Sequence, residues 1–93
     1  MPPGFEWDPE KAERNLRDHG VTFEEASTSF VDPYSIVIED PEHSLGEERF
    51  ILLGVSARGR LLVVVHTDRE DHIRLISAWK ADRHYLRIYE QDL

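Results

Sequence analysis

The chain of 93 residues contains no cysteine, which excludes disulfides, thiolate metal sites and thiol redox chemistry. It has no apolar run approaching the length of a membrane span. Its start, MPPGFEWDPE, lacks the basic and apolar regions of a secretory signal, so a cytoplasmic protein with no membrane partner is expected. The five histidines, His19, His43, His66, His72 and His84, show no HxxxH pair or other zinc-like spacing, although His66 and His72 are placed to face each other across a hairpin. No metal and no cofactor is expected. The glycines of GVSARGR are not followed by a lysine and a serine or threonine on a helix, so they do not form a phosphate-binding loop. There is no order of serine, histidine and aspartate that marks a hydrolase, and no repeat, linker or low-complexity segment.

Positive charge is scarce. The net charge of −8 argues against a protein whose whole surface grips nucleic acid. The distribution is uneven, however: residues 1–48 hold 13 acids and 3 bases, whereas residues 49–93 hold 6 acids and 8 bases. The later bases, among them Arg49, Arg58, Arg60, Arg74, Lys80 and Arg83, either collect on one side of the fold or are ordinary solvated charges.

With 40% hydrophobic and 32% charged residues, the chain has the composition of a folded protein. Its length suits a single domain over residues 1–93 with one modest core. Asp8 before Pro9 is a strong helix start, because the carboxylate caps free amides and proline is preset for the first helical position. That helix runs to about His19 and is stopped by Gly20. Thr22 with Glu25 forms a capping box that opens a second helix through about Phe30, with Phe23, Ala26 and Phe30 on its core face. YSIVIE alternates like an edge strand, with Tyr34, Ile36 and Ile38 on one side. RFILLGVS and RLLVVVHT are apolar runs joined by a glycine turn and read as central strands; HIRLISAW follows as a fourth. A last helix covers about Ala81 to Gln91, with Ala81, Tyr85 and Ile88 toward the sheet. The expected fold is two-layer α+β: two N-terminal helices, a four-stranded antiparallel sheet and a C-terminal helix.

Within the first helix, Lys11, Asn15 and His19 drift by about 40° per step and form one polar stripe. A cation, an amide and an imidazole suit the handling of a phosphodiester and a proton, since histidine titrates near neutral pH. The plainer reading is an exposed face with a histidine favoured by the helix C-terminus. Trp7 either closes the core over this helix or offers a base-stacking platform. Arg58 and Arg60, on either side of a turn glycine, can reach a phosphate or form a solvated hairpin tip. Arg83 and Arg87, four apart on the last helix, need nearby acids or a bound anion.

Three segments in order, FEWDPEKAERNLRDHGVTFEEA, GEERFILLGVSARGRLLVVVHT and IRLISAWKADRHYLRIYE, resemble the BrnT toxins of bacterial type II toxin–antitoxin modules over about Phe5 to Glu90. The resemblance implies a compact RelE-like fold and a metal-independent ribonuclease that stops translation. It implies two partners, RNA as substrate and a BrnA-type antitoxin that neutralises the toxin. DNA would be reached only indirectly, through the antitoxin's DNA-binding part, which represses the shared operon. Trp7, Asp8, Lys11, Asn15, His19 and Gly20 match the first motif, and Arg49, Gly54, Arg60 and Arg74 match strand positions.

The implied chemistry is attack of a ribose 2′-hydroxyl on the adjacent phosphate, with His19 transferring a proton and Lys11, Arg60 and Arg74 stabilising the phosphate. Trp7, Asn15, Arg49, Arg58, Lys80 and Arg83 are the expected substrate contacts. Two positions depart from the family pattern: Trp79 stands where the motif carries arginine, and Tyr85 where it commonly carries an acid. Loss of the arginine would impair catalysis, with Lys80 as an imperfect substitute. The alternative function is therefore a catalytically weakened homologue that serves as the antitoxin's binding partner and corepressor.

Overall fold

A computed structural model describes residues 1–40 and 48–91. His43 and the rest of residues 41–47 lie outside them. The elements are β1 (Phe5–Glu6), α1 (Pro9–His19), α2 (Phe23–Thr28), a 3-10 turn (Ser29–Val31), β2 (Ile36–Glu39), β3 (Phe50–Val55), β4 (Leu61–Arg69), β5 (His72–Lys80) and α3 (Arg83–Gln91). Among the described residues no helix is long and apolar enough to cross a membrane.

Helix α1 begins and ends where its residues dictate. Asp8 Oδ1 accepts from the Glu10 amide at 2.8 Å, and Pro9 occupies the first turn. Gly20 takes a left-handed conformation, φ 70°, and its N–H donates to Leu16 O at 2.9 Å. Thr22 Oγ1 accepts from the Glu25 amide at 3.0 Å and starts α2. The box is only half used, because the Glu25 carboxylate is engaged by Arg60 and Ser56. Helix α2 stops at Thr28, short of the expected Phe30, and the chain tightens into the 3-10 turn.

Among the described residues the sheet has five strands, in the order β1-β5-β4-β3-β2, and not four. It is mixed: β1 runs parallel to β5, pairing Phe5 with Ile73 and Glu6 with Arg74, while all other neighbours are antiparallel. A strand of two residues carries no alternation for the sequence to reveal; its pairing is created by tertiary proximity. As expected, β2 lies at an edge, but Tyr34 precedes it and is exposed. Asp32 takes the Tyr34 and Ser35 amides into a turn there, which delays the strand until Ile36. His66 pairs with Leu75, and His72 with Arg69, so the two histidines do not face each other. His66 is instead buried between Phe30 and Phe50, and that burial pushes its imidazole pKa down.

Helices cover both faces of the sheet, giving three layers instead of the expected two. Alternation along the central strands divides their side chains between two cores. Leu52, Leu62, Val64, Leu75 and Ala78 pack with Trp7, Val21, Phe23 and Ala26 under α1 and α2. Ile51, Leu53, Val63 and Val65 pack with Tyr89 under α3, and Ala81, Tyr85 and Ile88 adjoin them. Burial on both faces is why β3 and β4 read as continuous apolar runs. Asp82 caps α3 by accepting from the Tyr85 amide at 3.2 Å, so this helix starts at Arg83 and not at Ala81.

Helix α3 is tied down at its far end. Tyr89 Oη donates to Asp32 Oδ2 at 2.6 Å, and the same oxygen accepts from the Val55 amide at 2.8 Å. Burial alone would raise the Asp32 pKa, but hydrogen bonds from Tyr89, Val55 and Tyr34 leave it lowered overall. The phenol of Tyr89 is pushed up to about 12, chiefly by its bond to Asp32.

Candidate functional site

Strand β1 covers β5 only at Ile73 and Arg74. Farther along, the edge of β5 is met by α1, and its main chain there is hydrogen-bonded by one buried amide. Asn15 Nδ2 donates to Ala78 O at 2.8 Å and to Val21 O at 2.9 Å, while Oδ1 accepts from the Ala78 amide at 3.0 Å and from Ser77 Oγ at 3.3 Å. The side-chain amide thus does for Ala78 what a neighbouring strand would do. The middle of the polar stripe is a clamp, buried at 6% exposure.

The ends of the stripe remain exposed. Lys11, Arg14, Asp18 and His19 line, with Asn15, Ile76 and Ser77, a cleft of about 200 Å³ between α1 and β5. The His19 ring lies 6.0 Å from that of Trp79, with the planes tilted by 43°. These two residues also line, with Asp18 and Lys80, a wide hollow of about 520 Å³. A third hollow, of about 350 Å³, shares Ile76, Ser77 and Trp79 with the others and adds Arg49 and Tyr85. Together they make one groove along β5, carrying Lys11, Arg14, His19, Lys80 and Arg49 as its basic side chains and Asp18 and Asp40 as carboxylates among them.

Other expected site residues lie elsewhere. Trp7 is in the core, edge-on to Phe23 with ring centres 5.7 Å apart and packed under α1 and α2. At 8% exposure it offers no face for a base to stack on. Arg74 Nη1 donates to Glu6 Oε2 at 2.7 Å, across the β1–β5 pair. Arg60 donates through Nε at 2.9 Å and through Nη2 to the two Glu25 oxygens, and Nη2 also reaches Gly20 O at 3.2 Å. It therefore buttresses the end of α1 one residue beyond His19. Arg58, 3.9 Å from Glu25, is largely exposed on the hairpin, and Arg83 lies in the first turn of α3. None of Arg58, Arg60, Arg74 and Arg83 lines the groove described above.

Arg14 and Asp18 were missed, although the signal was present: Lys11, Arg14, Asn15, Asp18 and His19 follow the i, i+3, i+4, i+7, i+8 pattern of one helix face. Ser77 and Tyr85 carried no local signal, since their place depends on how β5 and α3 pack. Among the described residues no three histidine, aspartate or glutamate side chains come together as metal ligands.

The Glu25 carboxyl is held below its ordinary 4.5, first by the Arg60 hydrogen bond working against burial, then by Ser56 and the charges of Arg60 and Arg58. Its native pKa lies below the unfolded value, so the unfolded chain binds the proton more readily. The pair's contribution to stability is complete above about pH 4.5 and is lost as pH falls through the lower native value. Glu25→Gln should therefore be less stable than the native chain at pH 7, and the gap should narrow in thermal unfolding below pH 4.5. A gap that stays constant with pH would show that the ion pair does not supply it.

No curated protein matches this chain. The model of a family described as the ribonuclease toxin BrnT of a type II toxin–antitoxin system matches residues 7–84, a span that includes Lys11, His19, Arg49 and Trp79. A match over so much of the chain, reaching from the start of α1 into α3 and taking in every groove residue named above but Tyr85, settles the family: the chain belongs to the BrnT ribonuclease toxins of type II toxin–antitoxin systems.

Proposed function

We propose that the groove between α1 and β5 cleaves RNA without a metal ion, and that the chain acts as a single domain in the cytoplasm of a bacterium, where this cleavage stops translation. The observation that carries the reading is the convergence of Lys11, Arg14 and His19 on one cleft, with Lys80 in the adjoining hollow. The ribose 2′-oxygen forms a bond to the neighbouring phosphorus as the P–O5′ bond breaks. One proton must leave the 2′-hydroxyl and one must reach the 5′-oxygen. In this reading the imidazole of His19 transfers a proton, and the cations of Lys11 and Arg14 stabilise charge developing on the phosphate.

Arg60 and Arg74 act in this reading as positioning residues, through Glu25 with Gly20 and through Glu6 respectively. Membership in a toxin–antitoxin family implies an antitoxin partner. We take it to be of BrnA type, meeting DNA on the pair's behalf. A second reading rests on Trp79, which places an indole beside His19 where the family motif carries arginine. It makes the chain a weakened toxin whose remaining task is to bind the antitoxin as corepressor.

Purified protein and labelled RNA in EDTA separate the readings. The native chain should cut, and His19→Ala should cut about 10²-fold more slowly. Cleavage unchanged by that substitution would remove His19 from the chemistry. Cleavage by Trp79→Arg alone would make the native chain the disarmed partner.

A further inference from the structure

The hollow at the Trp79 end of the groove differs in chemistry from the cleft at the Lys11 end. Its floor is apolar, formed by Ile51, Val65 and Ile76 from three neighbouring strands. Two aromatic side chains, Trp79 from the end of β5 and Tyr85 from α3, line it, and both are half-buried against the second core, so their rotamers are restricted. Among the described residues its one cation is Arg49, just before β3, whose carbonyl accepts from the Asp40 amide at 3.0 Å and so continues the β2–β3 ladder; Asp40 and Ser77 line the hollow as well. Ile76 and Ser77 are common to this hollow and to the cleft that holds Lys11 and His19.

We infer that this hollow is a binding slot for the purine base of a nucleotide adjoining the scissile phosphate, with Trp79 and Tyr85 as stacking walls and Arg49 at the base edge. The inference rests on the RNA-cleaving reading of the neighbouring cleft. A phosphate held by Lys11 near His19 leaves the adjoining nucleotide beside Trp79, whose ring is 6.0 Å from that of His19. An apolar floor with aromatic walls rewards a flat, weakly hydrated ring, and every base offers a π-face to such a wall. A purine presents the larger face, and a hollow of about 350 Å³ has room for it. Arg49 adds a planar fork of donors, which suits the acceptor pair on a purine such as guanine, O6 and N7. The Asp40 carboxylate in the same lining opposes a phosphate there, whereas a neutral base brings no charge for it to repel. In this account Trp79 exchanges a charge at the phosphate for grip on the base, and sets sequence preference.

The test uses five-nucleotide oligomers that are 2′-O-methylated except at one ribose, so that a single bond can be cut. The nucleotides on either side of that bond are varied among purine, pyrimidine and abasic. The native chain should show a kcat/KM about tenfold higher for a purine than for an abasic site on one side. Trp79→Ala should bring that ratio close to one, and Trp79→Phe should restore most of it. A residue that only supports the fold would change every substrate alike and leave the ratio intact.

A second arm needs no cleavage. The fully 2′-O-methylated purine oligomer should quench the native tryptophan fluorescence, its abasic counterpart should not, and Trp79→Phe should abolish the effect, because the remaining Trp7 is buried in the core. Cleavage with no base preference and no quenching overturns the slot and leaves the cleft's chemistry standing. If the native chain cuts none of the oligomers, the RNA-cleaving reading fails and the fluorescence arm decides the slot: base-dependent quenching supports it, and its absence overturns it.

Discussion

Asn15→Asp should lower the melting temperature by about 20 °C or more, although the change replaces one nitrogen by one oxygen. In the native chain Nδ2 donates to two carbonyl oxygens, Ala78 O and Val21 O. The variant turns a carboxylate oxygen toward both, so two donor contacts become repulsive and a charge is placed at a position only 6% exposed. Each buried acceptor left without a donor costs about 1–3 kcal/mol, more when a charge is involved, which puts the total near 4 kcal/mol. A domain of this size has about 5–10 kcal/mol in all. At about 4–8 °C per kcal/mol the shift is easily read by circular dichroism. Asn15→Ala should cost somewhat less, since it removes the partners without adding a charge. A loss under about 1 kcal/mol for both variants would mean that α1 is held to β5 by packing and not by this amide. Because the groove lies between those two elements, loss of the clamp should also abolish activity, whatever chemistry His19 performs.

Gly54→Ala comes next in expected effect. On β3 the glycine faces the 3-10 turn that follows α2, and a methyl group built there would collide with the main-chain carbonyl oxygen of Ser29 and crowd Leu52 Cδ2 at 3.2 Å. The obstacle is backbone, so no rotamer change relieves it; either the turn or the central strand must move. Overpacking of this kind costs about 3 kcal/mol, seen as a lower urea midpoint with an unchanged slope. The control is Ser29→Gly in the Gly54→Ala background. It should not rescue, since the colliding oxygen belongs to the main chain, and a rescue by it would show that the serine side chain was the obstacle. The family resemblance marked Gly54 as a matching position without a reason; the close passage of the turn supplies one.

Much of the fold was legible because its signals are local. Asp8 with Pro9, Gly20 and Thr22 act within a turn of where they stand, so the bounds of α1 could be read correctly and those of α2 nearly so. The apolar runs of β3 and β4 announce burial without saying what buries them. Strand β1 was invisible, since Phe5 and Glu6 become a strand only through Ile73 and Arg74. The opposite placement of α3 was equally hidden, because Tyr85 and Ile88 would mark the same inner face of that helix against either side of a sheet.

The residues by themselves determined the order of every helix and of every strand but β1, the helix caps, the central strands, the exposed stripe on α1 and, through the three ordered motifs, the family. Only the tertiary structure decided where each member of the stripe lies. It turned Asn15 inward as a clamp, left Lys11 and His19 facing a cleft, and drew Trp79 and Arg49 into the same groove. It also committed Arg60 to Glu25 and Arg74 to Glu6, partners 35 and 68 positions away in sequence. Caps and periodicities arise from groups within a few residues of one another, whereas a cation's partner is chosen by which strands and helices come to lie side by side.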